Sequence, residues 1–598
     1  MIELTRKAMP GEDSLTLPEA RFRLLKRSPS GNSLDVTKAG IEDLPASDAA
    51  LGGLLPRSEH MLADMVERSR KDAARSPGSA RALAHLGMAL MNEGRLEEAA
   101  GNLREALSID ANEAMATRGL ARIHLFRGEL EMAEALFLEL RAAHPHDPEP
   151  FVGLSEIQRK RSHLIEAREL AVQAVALSPD YVRARIQAGL VAIALGRHRE
   201  AIADLRHGLG LQPRSAALQH AIGVAYALSG DKRRAARAFR LALSIDPGTY
   251  PAAKALAAVV RDSSPEEAIE LLIRYLGAEA EDDDARELLA WLFLKTENVA
   301  RAQAELLRLE RSARTAIVDT SRLSRVLNNL GVCSWRSARY EEAVTLFQRA
   351  LHEDSGNDLV PRKNLMGLLL TLGQPESAMS LFDGAREETK DDESVRILLG
   401  LCLDEAGDRS SAVKWLSTVV HSGSASPDAY AALGGLLADS HEPSPYAATV
   451  LEDGLVKYPD HEALLNNLAL AYIRMRSFEA ASRLLDKAMH QRPPVSPVLF
   501  ATLGLLKIEQ GQVSEGALLY DQAARRAKET NSTLLSIAIE QKKHLELGRA
   551  LAAGGHVGEA LSEVMSGLRH TGRLRYSMEL SQLRSDLLQV TSGATERE

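Results

Sequence analysis

Small residues recur in this chain at a fixed interval. Gly87, Ala121, Ser155, Gly189, Gly223 and Ala257 follow one another at steps of 34 residues. Such a period marks a helix–turn–helix unit that cannot bury its apolar face alone and must stack on its neighbours. The repeat therefore predicts an all-α chain. It also removes the several globular domains that 598 residues would otherwise suggest. The composition agrees, since the chain is 45% hydrophobic but only 4% aromatic and is rich in the helix formers Ala, Leu and Arg.

The unit ending at Pro247 is the easiest to read. Leu218 and Gln219 precede Ile222, Gly223 and Tyr226, and a turn follows at Ser229-Gly230-Asp231. The next helix carries Ala235, Phe239 and Ala242 before Pro247. Gly and the later Ala sit where two helices cross closely, Tyr and Phe fill the space between units, and Pro stops the second helix. This resembles the tetratricopeptide repeat (TPR) pattern W-x2-L-G-x2-Y…A-x3-F…P. Counterparts run from Leu86-Gly87 through Leu330-Gly331 and Leu399-Gly400 to Leu503-Gly504 and Leu547-Gly548. The resemblance spans roughly residues 80–570 and implies a right-handed α-α superhelical solenoid of about 14 helix–turn–helix repeats.

Two intervals are longer, 41 residues from Ala290 to Gly331 and 44 from Gly504 to Gly548. The added residues either lengthen helices or open a lip between two lobes. The organisation predicted is a largely disordered tail over 1–57, a capping helix over 58–79, repeats over 80–309 and 310–570, and a capping helix and tail over 571–598. Within the tail, Leu17–Arg27 reads as a small basic amphipathic segment. It is either solvated or a docking motif for a partner or an anionic surface.

The formal net charge of −9 argues against a general nucleic-acid binder. Cys333 and Cys402 each follow a Leu-Gly pair by two positions, in units that are not adjacent. They are expected to be buried, unbridged thiols suited to a reducing compartment. Met1–Glu12 is polar, and neither a secretory leader, a lipidation motif nor a membrane-length apolar run is present, so a cytoplasmic location is expected.

Chemistry-bearing motifs are sparse. Gly208 and Gly210 form a GxG without a preceding strand, and His144 and His146 flank a turn at Pro145 without further ligands. The Glu281–Asp284 run suits a helix start and lacks the glycine and terminal glutamate of a calcium loop. No catalytic residue, cofactor or metal is expected, and the chain reads as a non-enzyme.

The TPR resemblance also implies which positions face a partner. With the Leu-Gly pair as slots 7 and 8, slots 2, 5, 6, 9, 12 and 13 line the concave groove. The early repeats place Arg81, His85, Arg118, Arg122, Arg159, Lys160 and Arg183 there, partly offset by Glu149 and Glu156. Arginines in that pattern suit an acidic extended or helical segment, because guanidinium groups bind carboxylates bidentately; equally, such charges solvate helix faces. The middle repeats place Trp291, Arg325, Asn328, Asn329, Trp335, Lys363 and Asn364 in the same slots. Asn329 and Asn364 resemble the peptide-gripping asparagines of some TPR proteins, since an amide offers both donor and acceptor to a backbone. The resemblance implies a protein-binding scaffold or adaptor. The alternative is a regulator, such as an effector of a small GTPase or a component of a motility, pilus or secretion machine.

Overall fold

The computed structural model describes residues 59–315, 320–353, 359–422, 425–439, 444–490, 496–529, 533–570 and 574–595. The 1–57 tail and its Leu17–Arg27 segment lie outside them. Among the described residues the chain forms 31 helices joined by turns, without strands.

A first helix, α1 (Glu59–Arg75), precedes fourteen helix–turn–helix pairs. The first four pairs are α2 (Ala80–Asn92) with α3 (Leu96–Ile109), α4 (Ala114–Phe126) with α5 (Leu130–Ala143), α6 (Pro148–Lys160) with α7 (Leu164–Leu177), and α8 (Val182–Ala194) with α9 (His198–Leu211). Next come α10 (Ala216–Leu228) with α11 (Lys232–Ile245), α12 (Tyr250–Val260) with α13 (Pro265–Ala278), and α14 (Asp283–Lys295) with α15 (Val299–Thr315). They are followed by α16 (Thr320–Arg336) with α17 (Tyr340–Glu353) and α18 (Leu359–Thr371) with α19 (Pro375–Asp383). A single turn, α20 (Glu387–Lys390), leads into α21 (Glu393–Glu405) with α22 (Arg409–Val420). The last four pairs are α23 (Pro427–Ala438) with α24 (Pro445–Lys457), α25 (Glu462–Arg474) with α26 (Phe478–Met489), α27 (Pro497–Glu509) with α28 (Val513–Glu529), and α29 (Thr533–Ala553) with α30 (Val557–Leu568). The closing helix is α31 (Leu574–Thr595). This is the α-α solenoid that the 34-residue period predicts.

Most pairs are held by the small residue of their first helix; in α18 the place is taken by Met366. A Cβ placed on Gly223 would lie 2.5 Å from the Phe239 ring, and one on Gly331 would lie 2.6 Å from the Phe347 ring. Gly87 stands in the same relation to Leu103 and Gly400 to Leu416, each with 2.6 Å to the nearest side-chain atom. Side chains cannot enter such gaps without parting the helices. On the second helices Ala99, Ala133, Ala167, Ala201 and Ala235, again 34 apart, are fully buried.

The turns inside the pairs need a left-handed residue. Gly94, Gly128, Gly196 and Gly230 supply it, with φ between +71° and +84°. Ser162 occupies the equivalent place at φ +64°, and Ala338 does so further on at +59°. A Cβ makes that region costly, which is why the turn favours glycine.

The longer intervals are taken up by longer helices. α15, α16 and α28 have 17 residues and α29 has 21, against 13 or 14 in most others. Over the described residues the fold divides into two compact units, 59–292 and 293–595. Cys333 and Cys402 are buried and not joined in a disulfide, and burial pushes the Cys333 thiol up to about 12. No helix among the described residues is long and apolar enough to cross a membrane.

Candidate functional site

In the unit of residues 59–292, charged groups from three successive first helices meet. Arg118 of α4 reaches Asp147, which caps α6, at 2.5 Å. Arg183 of α8 pairs with Glu149 of α6, and the Tyr181 hydroxyl donates to the same carboxylate. Glu149 is only 2% exposed. Burial alone would raise its pKa, but Arg183 and Arg122 together with the Tyr181 hydrogen bond hold it below the usual carboxylate range.

Arg122 is 6% exposed, and burial together with repulsion from Arg183 pulls its pKa down to about 10 against the attraction of Glu149. Arg159 of α6 is half-buried and desolvated, which also lowers its pKa. Among the described residues it has neither a hydrogen-bond nor an ion-pair partner, although Glu156 is near enough to attract it. Four arginines (Arg118, Arg122, Arg159, Arg183) thus lie among three acids (Asp147, Glu149, Glu156), and Arg159 is the one without a hydrogen-bond or ion-pair partner among the described residues. Arg81 and His85 on α2 and Lys160 at the end of α6 are exposed. Below these charges Ser155 stands in the small-residue slot, where its hydroxyl donates to the Ala167 carbonyl at 2.6 Å and accepts from Gln187 at 3.1 Å.

The middle-repeat residues are set more deeply. Trp291 on α14 is half-buried. In the unit of residues 293–595, Asn328 and Asn329 on α16 are 0% and 1% exposed, and Asn364 on α18 is 1% exposed. Asn364 donates to Asn328 at 2.8 Å, and Asn328 donates to Asn329 at 3.2 Å, so the amides bind each other across neighbouring repeats. A second pair repeats the arrangement, with Asn466 donating to Asn467 and Asn467 to the Ala431 carbonyl at 3.0 Å. Trp335 is 1% exposed and packs edge-on against Phe347, so it presents no surface to a partner. Lys363 is buried at 6% exposure, and Arg325 is half-buried and donates to the Ser321 hydroxyl.

A further charged cluster in the unit of residues 293–595 escaped the sequence reading. Lys542 on α29 pairs with Asp439, which caps α23, at 3.0 Å. Arg474 on α25 pairs with Glu546 on α29 at 2.7 Å, both almost fully buried, and with Glu509 on α27 at 3.1 Å. Burial would raise the Glu546 carboxyl, but Arg474, Arg549 and Lys542 keep it below the usual range. These pairs span two and three repeats. The slot count does flag them, since Lys542 and Glu546 fall at slots 2 and 6 and Asp439 and Arg474 at slot 13.

Family models described as tetratricopeptide repeat match residues 90–151, 334–400 and 369–436, and a second such model matches 186–249. The chain belongs to the tetratricopeptide-repeat superfamily. Solved structures similar to this TPR chain include a thermophilic TPR protein in Thermus thermophilus, at 24% identity, covering 30% of this chain and 99% of that one, with TM-score 0.28. The yeast Tom70 is 14% identical over 67% of this chain and 96% of its own, with TM-score 0.38. The APC/C hetero-tetramer Cut9–Hcn1 matches at 14% identity over 81% of this chain and 98% of its own, with TM-score 0.37. No curated protein matches the TPR chain.

Proposed function

We propose that this TPR chain is a non-enzymatic cytoplasmic scaffold that holds an acidic segment of a partner protein against α4, α6 and α8. TPR proteins are generally protein-interaction scaffolds, and the reading for this chain is carried by Arg159. A half-buried guanidinium without a partner among the described residues lowers the stability of the isolated chain. A carboxylate would satisfy it with charge-assisted hydrogen bonds and bring the cluster to neutrality. Asp147, Glu149 and Tyr181 hold Arg118 and Arg183 in place, which limits the entropy lost on binding. Exposed Arg81, His85 and Lys160 extend the positive character and would speed encounter with an acidic segment.

The test is affinity capture from lysate with the intact chain and an Arg118→Glu, Arg159→Glu variant, confirmed by titration of an acidic fluorescent peptide. The wild type is expected to bind an acid-rich segment, with affinity falling steeply as salt rises, and the variant to lose at least tenfold. Equal capture by both proteins, or a partner whose contact segment is basic, overturns the reading.

A further inference from the structure

We propose that the C-terminal repeats carry a separate pocket for one neutral aliphatic residue, Leu, Ile or Val, of a partner segment, with Tyr520 donating to that residue's backbone carbonyl. The proposal rests on reading this chain as a protein-binding scaffold but on none of the arginines of residues 59–292.

The pocket lies wholly within residues 293–595, between α25, α27, α28, α29 and α31. Its empty volume is about 520 Å3 counting the open mouth, of which about 30 Å3 admits the centre of a water molecule. A cavity of that size takes roughly two water-sized groups, which suits the branched tip of an aliphatic side chain better than an aromatic ring. Val498, Leu505, Leu535 and Ile539 wall it, all buried.

The long α29 makes this pocket possible. Its Lys542 crosses to Asp439 over 103 positions of sequence, and Glu546 reaches Arg474 over 72. A regular solenoid brings only neighbouring repeats together; here two side-chain ion pairs link α29 to the end of α23 and to α25. Each of these cations has its anion, so the surroundings ask for no net charge from a ligand. That excludes the acidic residues suited to the arginine-rich face.

The polar demand comes from Tyr520. It lines the pocket, is 1% exposed, and its hydroxyl has no hydrogen-bond partner among the described residues. Burial drives the phenol well above its ordinary pKa, so it stays protonated and can donate. Water would accept from it equally well but would gain nothing from the apolar walls. An aliphatic residue with its peptide carbonyl uses both.

The experiment is saturation-transfer NMR on the full chain with N-acetyl-leucine N-methylamide, and with the N-acetyl-aspartate analogue as the charged comparison. Ala538 and Thr502 line the pocket from different helices, so Ala538→Leu and Thr502→Leu each fill it, and circular dichroism selects whichever variant keeps its helices. The leucine amide is expected to give transfer, the aspartate analogue none. The filled variant is expected to abolish the signal, and Tyr520→Phe to weaken binding about fivefold, as loss of one neutral hydrogen bond does. Absence of transfer from the leucine amide, equal transfer from both amides, or a signal that survives filling overturns the proposal. Because the probe is a small amide, these outcomes leave the acidic-segment capture assay untouched.

Discussion

The two compact units build their inner charges differently on the same repeat. In residues 59–292 the pairs join neighbouring repeats, Arg118 to Asp147 and Arg183 to Glu149, and one arginine is left over. In residues 293–595 the pairs run across two and three repeats, and Arg474 and Lys542 each have an acid. The first arrangement keeps donor capacity in reserve for a ligand. The second spends it on ties between distant repeats and adds cooperativity that a nearest-neighbour solenoid lacks. On the proposed reading, the inner slots of the same motif serve recognition in one unit and cohesion in the other.

The largest expected effect breaks the cohesive side. Glu546→Ala leaves Arg474 buried with only the more exposed Glu509, and should cost about 3 kcal/mol or more, as removal of one partner from a buried pair does. The matching change in the other unit, Arg118→Met, breaks a partly exposed pair and should cost about 1 kcal/mol or less. Urea unfolding of both variants measures the contrast. Equal losses would erase the distinction between the units.

A pH effect of similar size is expected from His220 in residues 59–292. His220 is fully buried beside Phe239, neither ring nitrogen has a partner among the described residues, and burial lowers its pKa to about 4. A histidine with a depressed pKa is neutral in both states above about 6.5 and protonates first in the unfolded chain. Stability is therefore undiminished above about pH 6.5 and falls between there and pH 4, by about 3 kcal/mol in all. His220→Leu should flatten that dependence, read as the urea midpoint against pH. An unchanged slope would place the acid sensitivity elsewhere.

Much of this fold is legible in the sequence, because the 34-residue step is a direct consequence of helix pairs that must cross at Gly or Ala. The left-handed turn is legible too, at Gly94, Gly128, Gly196 and Gly230. Depth and pairing within the inner face are not. Slots 12 and 5 hold Arg159 and Asn328 alike as inward residues, yet one is half-buried without a partner among the described residues and the other is 0% exposed in an amide chain. That difference is set by how closely the following repeat packs, which depends on side chains some 34 to 36 positions away. Lys542 and Asp439 are separated by 103 residues, a distance over which no local pattern carries information.

Arg122 offers a sharper cut through the comparison, because stability and recognition should move in opposite directions. Its pKa, lowered to about 10, leaves it charged at neutral pH but shows that burial makes that charge costly to the fold, and a hydrophobic group of similar length relieves the cost. Arg122→Met is expected to stabilise the chain by about 1–2 kcal/mol and to weaken an acidic ligand severalfold. Lower stability together with unaltered binding would make Arg122 a structural residue, like the arginine at position 474.

The smallest effect is one in which the units should agree. Ser162 and Ala338 hold the left-handed turn position of their repeats without being glycine, one in each unit. Replacing either with glycine removes the steric cost of a Cβ at positive φ, about 1–2 kcal/mol, and returns part of it as added freedom of the unfolded chain. The net gain should be about 0.5–1 kcal/mol for both Ser162→Gly and Ala338→Gly. The turn is a property of the repeat, whereas the inner charges are properties of each unit. Equal gains in thermal midpoint, beside unequal losses at Glu546 and Arg118, would separate what the motif dictates from what each unit has added to it.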